Sequence, residues 1–187
     1  MDIVYAQPLK ELLAVSTYFK ETVVVLVTTE ANEKVAKEAK MVPCFLVSPS
    51  TTEAELSKLS KKKKAVLGTD LKANEFAVRI KADFLLNPSD SKQNFDLGLA
   101  KKLALNGTMV VLCFEDLLKA NSFERHQYWK NYLEVVRYCK LKGTKFVVAS
   151  GCKDPLHLRA PAVREALMIL LGLPKNIAKD YLSGELK

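Results

Sequence analysis

Short apolar runs alternate with amphipathic segments along the chain, and this alternation constrains the fold more than any other feature. The runs are Ile3–Ala6, Thr22–Thr28, Val42–Val47, Ala65–Leu67, Phe84–Leu86, Met109–Phe114 and Lys145–Ala149. Thr22–Thr28 (TVVVLVT) is β-branched and apolar on both faces, the mark of a strand covered on both sides. Helical spacing appears over Pro8–Lys20, Glu30–Lys40, Thr51–Ser60, Ala73–Lys81, Asn94–Leu105 and Phe123–Lys142, then over Pro161–Leu171 and Lys175–Leu182. Pro8 and Pro161 suit first helical turns. Gly107, after Asn106, and Gly143 suit helix ends.

Strict alternation implies a parallel sheet, because each parallel crossover needs a helix. Seven strand-helix units in 187 residues fit a lean α/β barrel resembling the TIM fold, or an open doubly wound sheet. Even spacing, with no nucleotide fingerprint at a switch point, favours the barrel. No linker, low-complexity tract or repeat breaks the pattern, so residues 1–187 read as a single domain. In either architecture the working loops follow the C-terminal ends of the strands.

The charge balance narrows the partners. Lys and Arg number 29 against 21 Asp and Glu, a net charge of +8 with a pI near 9.2, which points to polyanions and to nucleic acid above all. The excess is uneven: from Lys119 to Arg164 ten basic residues stand against three acids. The cysteines Cys44, Cys113, Cys139 and Cys152 form no CxxC pair and read as reduced, mostly buried thiols of a cytosolic protein. Met1-Asp2-Ile3 leads straight into an apolar run, so no signal peptide is expected. No segment approaches the roughly 18 apolar residues of a membrane span. The expectation is a cytoplasmic protein without a membrane partner.

The loops after the strands carry the candidate chemistry. Asp70, Asp90, Glu115, Asp116 and Asp154 could ring a divalent metal, as in a barrel phosphoesterase. The chain has only His126 and His157, neither in an HxH or HExxH pattern, which argues against a transition-metal hydrolase. A carboxylate-only magnesium site built on Asp70 and Asp154 stays open. Cys152 and His157 could form a thiol pair, but no third residue is evident to orient them.

The stretch FVVASGCKDPLHLRAP, Phe146 to Pro161, suits an anion better. Ser150 and Gly151 can present backbone N–H groups as a nest. The helix starting at Pro161 offers unpaired donors and a positive dipole end. Arg159 precedes that helix, and Arg164 lies on the same side of its first turn. The plainer alternative is that Arg159 pairs with Asp154 and only braces the loop.

On the long helix, Tyr128, Trp129, Tyr132, Leu133, Val135, Val136 and Cys139 form one stripe, so Trp129 reads as core and not as a base-stacking platform. His126, Lys130, Glu134 and Arg137 fall opposite, with ion-pair spacing from Lys130 to Glu134 and from Glu134 to Arg137. The run Lys61–Lys64 is a basic patch before a strand, and alone it reads as a solvated run.

The order ADFLLNP (82–88), NFDLGLAKKLALNG (94–107), MVVLCFEDLL (109–118), FERHQYW (123–129), FVVASG (146–151), DPLHLRAP (154–161) and REALMILLGL (164–173) resembles archaeal ribonuclease P protein component 3. LGTDLKANEFAVRIK (67–81) extends the likeness upstream, and the first 60 residues share only the strand-helix rhythm. The resemblance implies a TIM-barrel-like protein, related to barrel phosphoesterases but lacking their metal ligands. It implies a non-catalytic subunit of an RNA-based endonuclease that trims the 5′ leader of precursor tRNA. The partners implied are the RNase P RNA, protein component 2 and other RNase P proteins, with precursor tRNA met indirectly. No cofactor is expected on this chain, and Mg²⁺ is expected to serve the RNA.

The matching motif positions are Asn74, Arg125, Ser150, Gly151, Leu158, Arg159 and Pro161, with Asn74 and Pro161 in structural roles. Expected RNA contacts are Arg159 first, then Arg125, Lys72, Arg79, Lys130 and Arg137, with Arg164, Ser150 and Gly151 in the phosphate seat. One departure stands out: the family usually has Arg-Pro where this chain has Glu115-Asp116. An acidic pair cannot seat a phosphate, so either the contact has moved or that loop serves a protein partner. The competing readings are a stand-alone metal-dependent phosphoesterase and a scaffold that grips component 2.

Overall fold

A computed structural model describes residues 1–5, 22–89, 94–154 and 157–183, the last four in backbone only. The expected helix Pro8–Lys20 and the candidate Asp90 lie outside the described residues. Among the described residues there are seven strands: β1 Asp2–Val4, β2 Val23–Val27, β3 Val42–Val47, β4 Lys64–Leu67, β5 Phe84–Leu86, β6 Met109–Cys113 and β7 Phe146–Ala149. They form one sheet in sequence order. Parallel registers join β1 to β2, β3 to β4, β4 to β5 and β5 to β6. The first strand also bonds the segment leaving the last. Gly151 N–H donates to Ile3 O at 3.0 Å and Tyr5 N–H to Cys152 O at 2.9 Å. A doubly wound sheet would reverse its order at a switch point. Sequential order, with the first strand bonded to the segment leaving the last, is the connectivity of a nearly closed, TIM-like α/β barrel.

The helices are α1 Glu30–Glu38, α2 Glu53–Lys58, α3 Leu71–Arg79, α4 Leu97–Asn106, α5 Phe114–Lys119, α6 Ser122–Lys142, α7 Pro161–Leu170 and α8 Lys175–Ser183. Caps set their bounds. The Asp70 carboxylate accepts from Ala73 N–H at 2.8 Å, so α3 begins at Leu71 and not at Ala73. Asp96 accepts from Leu99 N–H at 2.6 Å, which moves the start of α4 to Leu97. Asn121 and Glu124 form a capping box at the head of α6. Gly107 and Gly143 end α4 and α6 in the left-handed conformation, φ 72° and 69°. Helix α5 is a correction to the sequence reading, which runs the strand on to Phe114 and places Glu115 and Asp116 in a loop.

The described residues group into two compact units. One takes Met1–Pro43, Leu112–Lys119 and Val147–Lys187, the other Cys44–Val111 and Ala120–Phe146. In the first, all five residues of β2 and Val147–Ala149 of β7 are buried, as two-sided apolar strands require. In the second, α6 buries Tyr132, Val135, Val136 and Cys139 and leaves Lys130 and Arg137 exposed. Leu133, expected on the buried stripe, is exposed, and Asn131 is buried in its stead. Buried polar groups tie neighbouring elements together in this unit. Thr108 Oγ1 donates to Ala82 O at 2.7 Å, Thr144 Oγ1 to Ala100 O at 2.8 Å and Tyr132 Oη to Asn87 Oδ1 at 3.1 Å. Among the described residues no helix is long and apolar enough to cross a membrane.

Candidate nucleic-acid interface

In the loop after β7, Ser150 holds an anion, and that anion is the protein's own. Ser150 N–H donates to Asp2 Oδ1 at 2.7 Å and Ser150 Oγ to Asp2 Oδ2 at 2.5 Å. Ile3 N–H donates to the same Oδ1 at 2.8 Å. Arg164 supplies the counter-charge: its Nη1 lies 3.5 Å from Asp2 Oδ1, with both side chains fully buried. Nη1 also donates to Met1 O at 2.9 Å and Nε to Arg159 O at 3.3 Å.

The expected roles of Ser150, Gly151 and Arg164 in holding an external phosphate are therefore corrected. Their donors are spent inside the fold, and a guanidinium with no exposed surface cannot reach RNA. Gly151 has a packing role besides. Its φ is +62°, and a Cβ there would sit 2.5 Å from Cys113 Cβ. Pro161 opens α7 at its first turn, as expected. Leu158 is buried beside it in sequence.

A second internal carboxylate braces the same loop. Glu115, on α5, accepts from Lys153 N–H at 3.0 Å, contacts His157 Nδ1 at 3.0 Å and pairs with Lys119 Nζ at 2.6 Å. Burial alone would raise its pKa. The bonds from Lys119, His157 and Lys153 outweigh burial and hold the carboxyl below its ordinary value. Glu115, which departs from the expected Arg-Pro, thus has a physical account: the acid faces inward and fastens Lys153 and His157. This also answers the thiol reading. His157 is engaged with Glu115, and burial pushes the Cys152 thiol up to about 12, with Asp2 and Glu115 adding to the rise. Cys152 is thus a thiol, not a thiolate, at neutral pH.

Besides the exposed Lys153, this loop presents Arg159. Its backbone N–H is fixed by Ser150 Oγ at 2.9 Å, and its guanidinium lies over the Phe114 ring at 6.0 Å from the centroid. It is half-buried, and among the described residues no carboxylate pairs with it. The expected alternative pairing with Asp154 is not used.

The remaining candidates lie in the second unit. Lys72 and Arg79 line an open groove of about 240 Å³ along α3 with Pro49, Glu75 and Phe76, and Arg79 stacks on the Phe76 ring at 5.2 Å. Arg125 donates from Nη2 to Ala120 O at 3.0 Å, which holds it at the head of α6. Lys130 and Arg137 follow on the exposed face of α6, and among the described residues neither pairs with Glu134. Asn74 is structural. Its Nδ2 donates to Pro88 O and to Asn94 O, each at 2.9 Å, and pins the two ends of the segment between them. Its buried Oδ1 accepts nothing from the described residues and lies 2.5 Å from where a Cβ on Gly68 would sit.

Sequence reasoning missed Asp2 and misread Glu115. The available signal was an acid beginning an apolar strand, MDIV, where burial demands a partner. Among the described residues no group of three or more His, Cys, Asp or Glu side chains is placed to hold a metal ion. Asp70, half of the alternative metal pair, is engaged as a helix cap.

Fold and site together define a class: a TIM-like α/β protein that uses its strand-end acids to fasten its own loops and presents arginines and lysines outward. The family model for RNase P subunit p30 matches residues 46–187, and the chain belongs to that family, as a protein subunit of ribonuclease P. The fold is similar to a chain in the cryo-EM structure of archaeal ribonuclease P with mature tRNA. The two share 17% identity with a TM-score of 0.80 over 96% of this chain and 85% of that one. It is also similar to the crystal structure of an uncharacterized protein, at 12% identity and a TM-score of 0.54 over 81% of this chain and 44% of that one. No curated protein sequence matches.

Proposed function

We propose that this subunit supports the catalytic RNA of ribonuclease P, which removes 5′ leaders from precursor tRNA, by contacting its phosphate backbone. The carrying observation is the set of outward cations on fixed supports. Arg159 sits over Phe114, Arg125 is held to Ala120, and Lys130 and Arg137 stand without ion-pair partners among the described residues. Lys72 and Arg79 add a third cationic group along α3. Such groups neutralise phosphates and release counterions, so affinity falls steeply with salt. In this reading the RNA carries out the cleavage, assisted by Mg²⁺ bound to it, and protein component 2 is the companion subunit. The particle works in the cytoplasm.

Reconstituted cleavage of precursor tRNA, with and without this chain and at limiting magnesium, tests the proposal. Activity should fall when the chain is omitted, and unchanged activity would remove the support role. The scaffold reading predicts instead that Arg159→Ala leaves RNA affinity and its salt slope intact. A stand-alone phosphoesterase would hydrolyse phosphodiesters with Mg²⁺ or Mn²⁺ and lose that turnover in Asp70→Asn or Asp154→Asn.

A further inference from the structure

The lysine run Lys61–Lys64 does not behave as a loose solvated stretch. Lys62 N–H donates to Leu59 O at 3.0 Å. The Lys63 carbonyl accepts from Phe45 N–H at 2.8 Å. Lys64 bonds Asp83 twice, giving its N–H to Oδ2 at 2.9 Å and accepting the Asp83 N–H at 2.8 Å. The side chains are guided too. Lys62 Nζ lies 4.7 Å from the Phe45 centroid and Lys63 Nζ 6.0 Å from that of Phe84. Four consecutive cations thus stand on a backbone held at the N-terminal ends of β4 and β5, two of them over aromatic faces. Less side-chain freedom is lost when such groups bind.

Beside this turn runs an open groove of about 400 Å³ lined by Lys64, Arg79, Leu56, Ser60 and Glu53 among others. Arg79 also lines the 240 Å³ groove that reaches Lys72 and Pro49. The larger groove is bordered by α2, none of whose residues is buried. The result is a track along α3, from Lys72 through Arg79 to Lys64, the residue that Lys61–Lys63 lead into.

We propose that this track is an RNA-backbone contact of the subunit, with the Lys61–Lys64 turn seating successive phosphates. The inference rests on the RNA-binding reading above. Charge complementarity favours RNA: protein–protein interface cores are depleted in lysine, whereas phosphate contacts are made by lysine and arginine. The phosphates could belong to the RNA subunit or to precursor tRNA, and both are separable by experiment.

The test uses the full chain with Lys61→Gln, Lys62→Gln, Lys63→Gln and Lys64→Gln combined, and with Arg79→Gln alone. Fluorescently labelled transcripts of the RNase P RNA and of precursor tRNA serve as probes across a salt series, with circular dichroism confirming the fold. The expected result is an affinity at least about tenfold lower at low salt and a salt slope shallower by about 2 to 4 for the fourfold variant, about 1 for Arg79→Gln, on one of the two probes. If the slopes are unchanged while Arg159→Ala lowers its own, the inference is overturned and the wider reading stands. If none of the variants moves the slope, both fall. A fourfold variant that keeps its slope but fails to join the other RNase P proteins would make the turn a protein contact and overturn the inference.

Discussion

Arg164 and Asp2, far apart in sequence, meet in a region closed to solvent, Nη1 3.5 Å from Oδ1. Removing one partner of a buried pair leaves a desolvated charge, so Arg164→Ala should cost about 3–5 kcal/mol. Urea unfolding measures this. The salt slope for RNA binding, taken under conditions where the variant is folded, should not change. A lowered slope with stability intact would return Arg164 to the RNA-facing surface.

Arg159 should show the converse. Its side chain contributes a partly exposed cation–π contact with Phe114, worth about 0.5–1 kcal/mol. Arg159→Ala should therefore leave the protein folded with a small loss of stability, while the slope of log affinity against log salt falls by about 1. Filter binding across a salt series decides it.

The contrast shows what was legible in the sequence. The strands were, because runs such as Val23–Val27 are apolar on both faces, and so was the long helix, because its buried residues recur with helical period. Of the donors expected after β7, Ser150 holds the anion, whereas Gly151 N–H is given to Ile3 O. The anion itself was not legible, since Asp2 lies at the other end of the sequence and only the sheet brings it to Ser150. Helix α5 was hidden for a local reason: Phe114 continues the apolar run of β6, and six residues give too little periodicity to mark a helix.

Glu115 gives a pH prediction. Its folded carboxyl is held below the ordinary value, so the stabilisation is complete above that ordinary value and is lost as pH falls through the depressed one. Glu115→Gln should therefore cost about 1–3 kcal/mol at neutral pH, and the gap to wild type should close on acidification. Unfolding curves from about pH 7 to about pH 3 provide the check. A gap that stays constant would mean that the charge of Glu115 contributes nothing.

Gly151→Ala should destabilise by about 1–3 kcal/mol from backbone strain, with more from the contact at Cys113. Adding Cys113→Ala should not rescue it, because the added Cβ meets the Cys113 Cβ itself. Cys113→Gly should relieve most of the contact, since only Cys113 Cα at 3.2 Å remains, and leave the strain. Thermal melts of the three variants separate these contributions, and full rescue by Cys113→Ala would contradict the geometry.

The bond from Ser150 to Asp2 also orders events during synthesis. The first unit is assembled from three separate stretches, the last beginning at Val147, whereas the second is complete by Phe146. On the ribosome the second unit can therefore gather its core first. The buried Asp2 carboxylate meanwhile stays hydrated in nascent chain until Ser150 and then Arg164 leave the exit tunnel. Closing so long a loop is slow, and the step that completes the first unit is the arrival of the partners for Asp2.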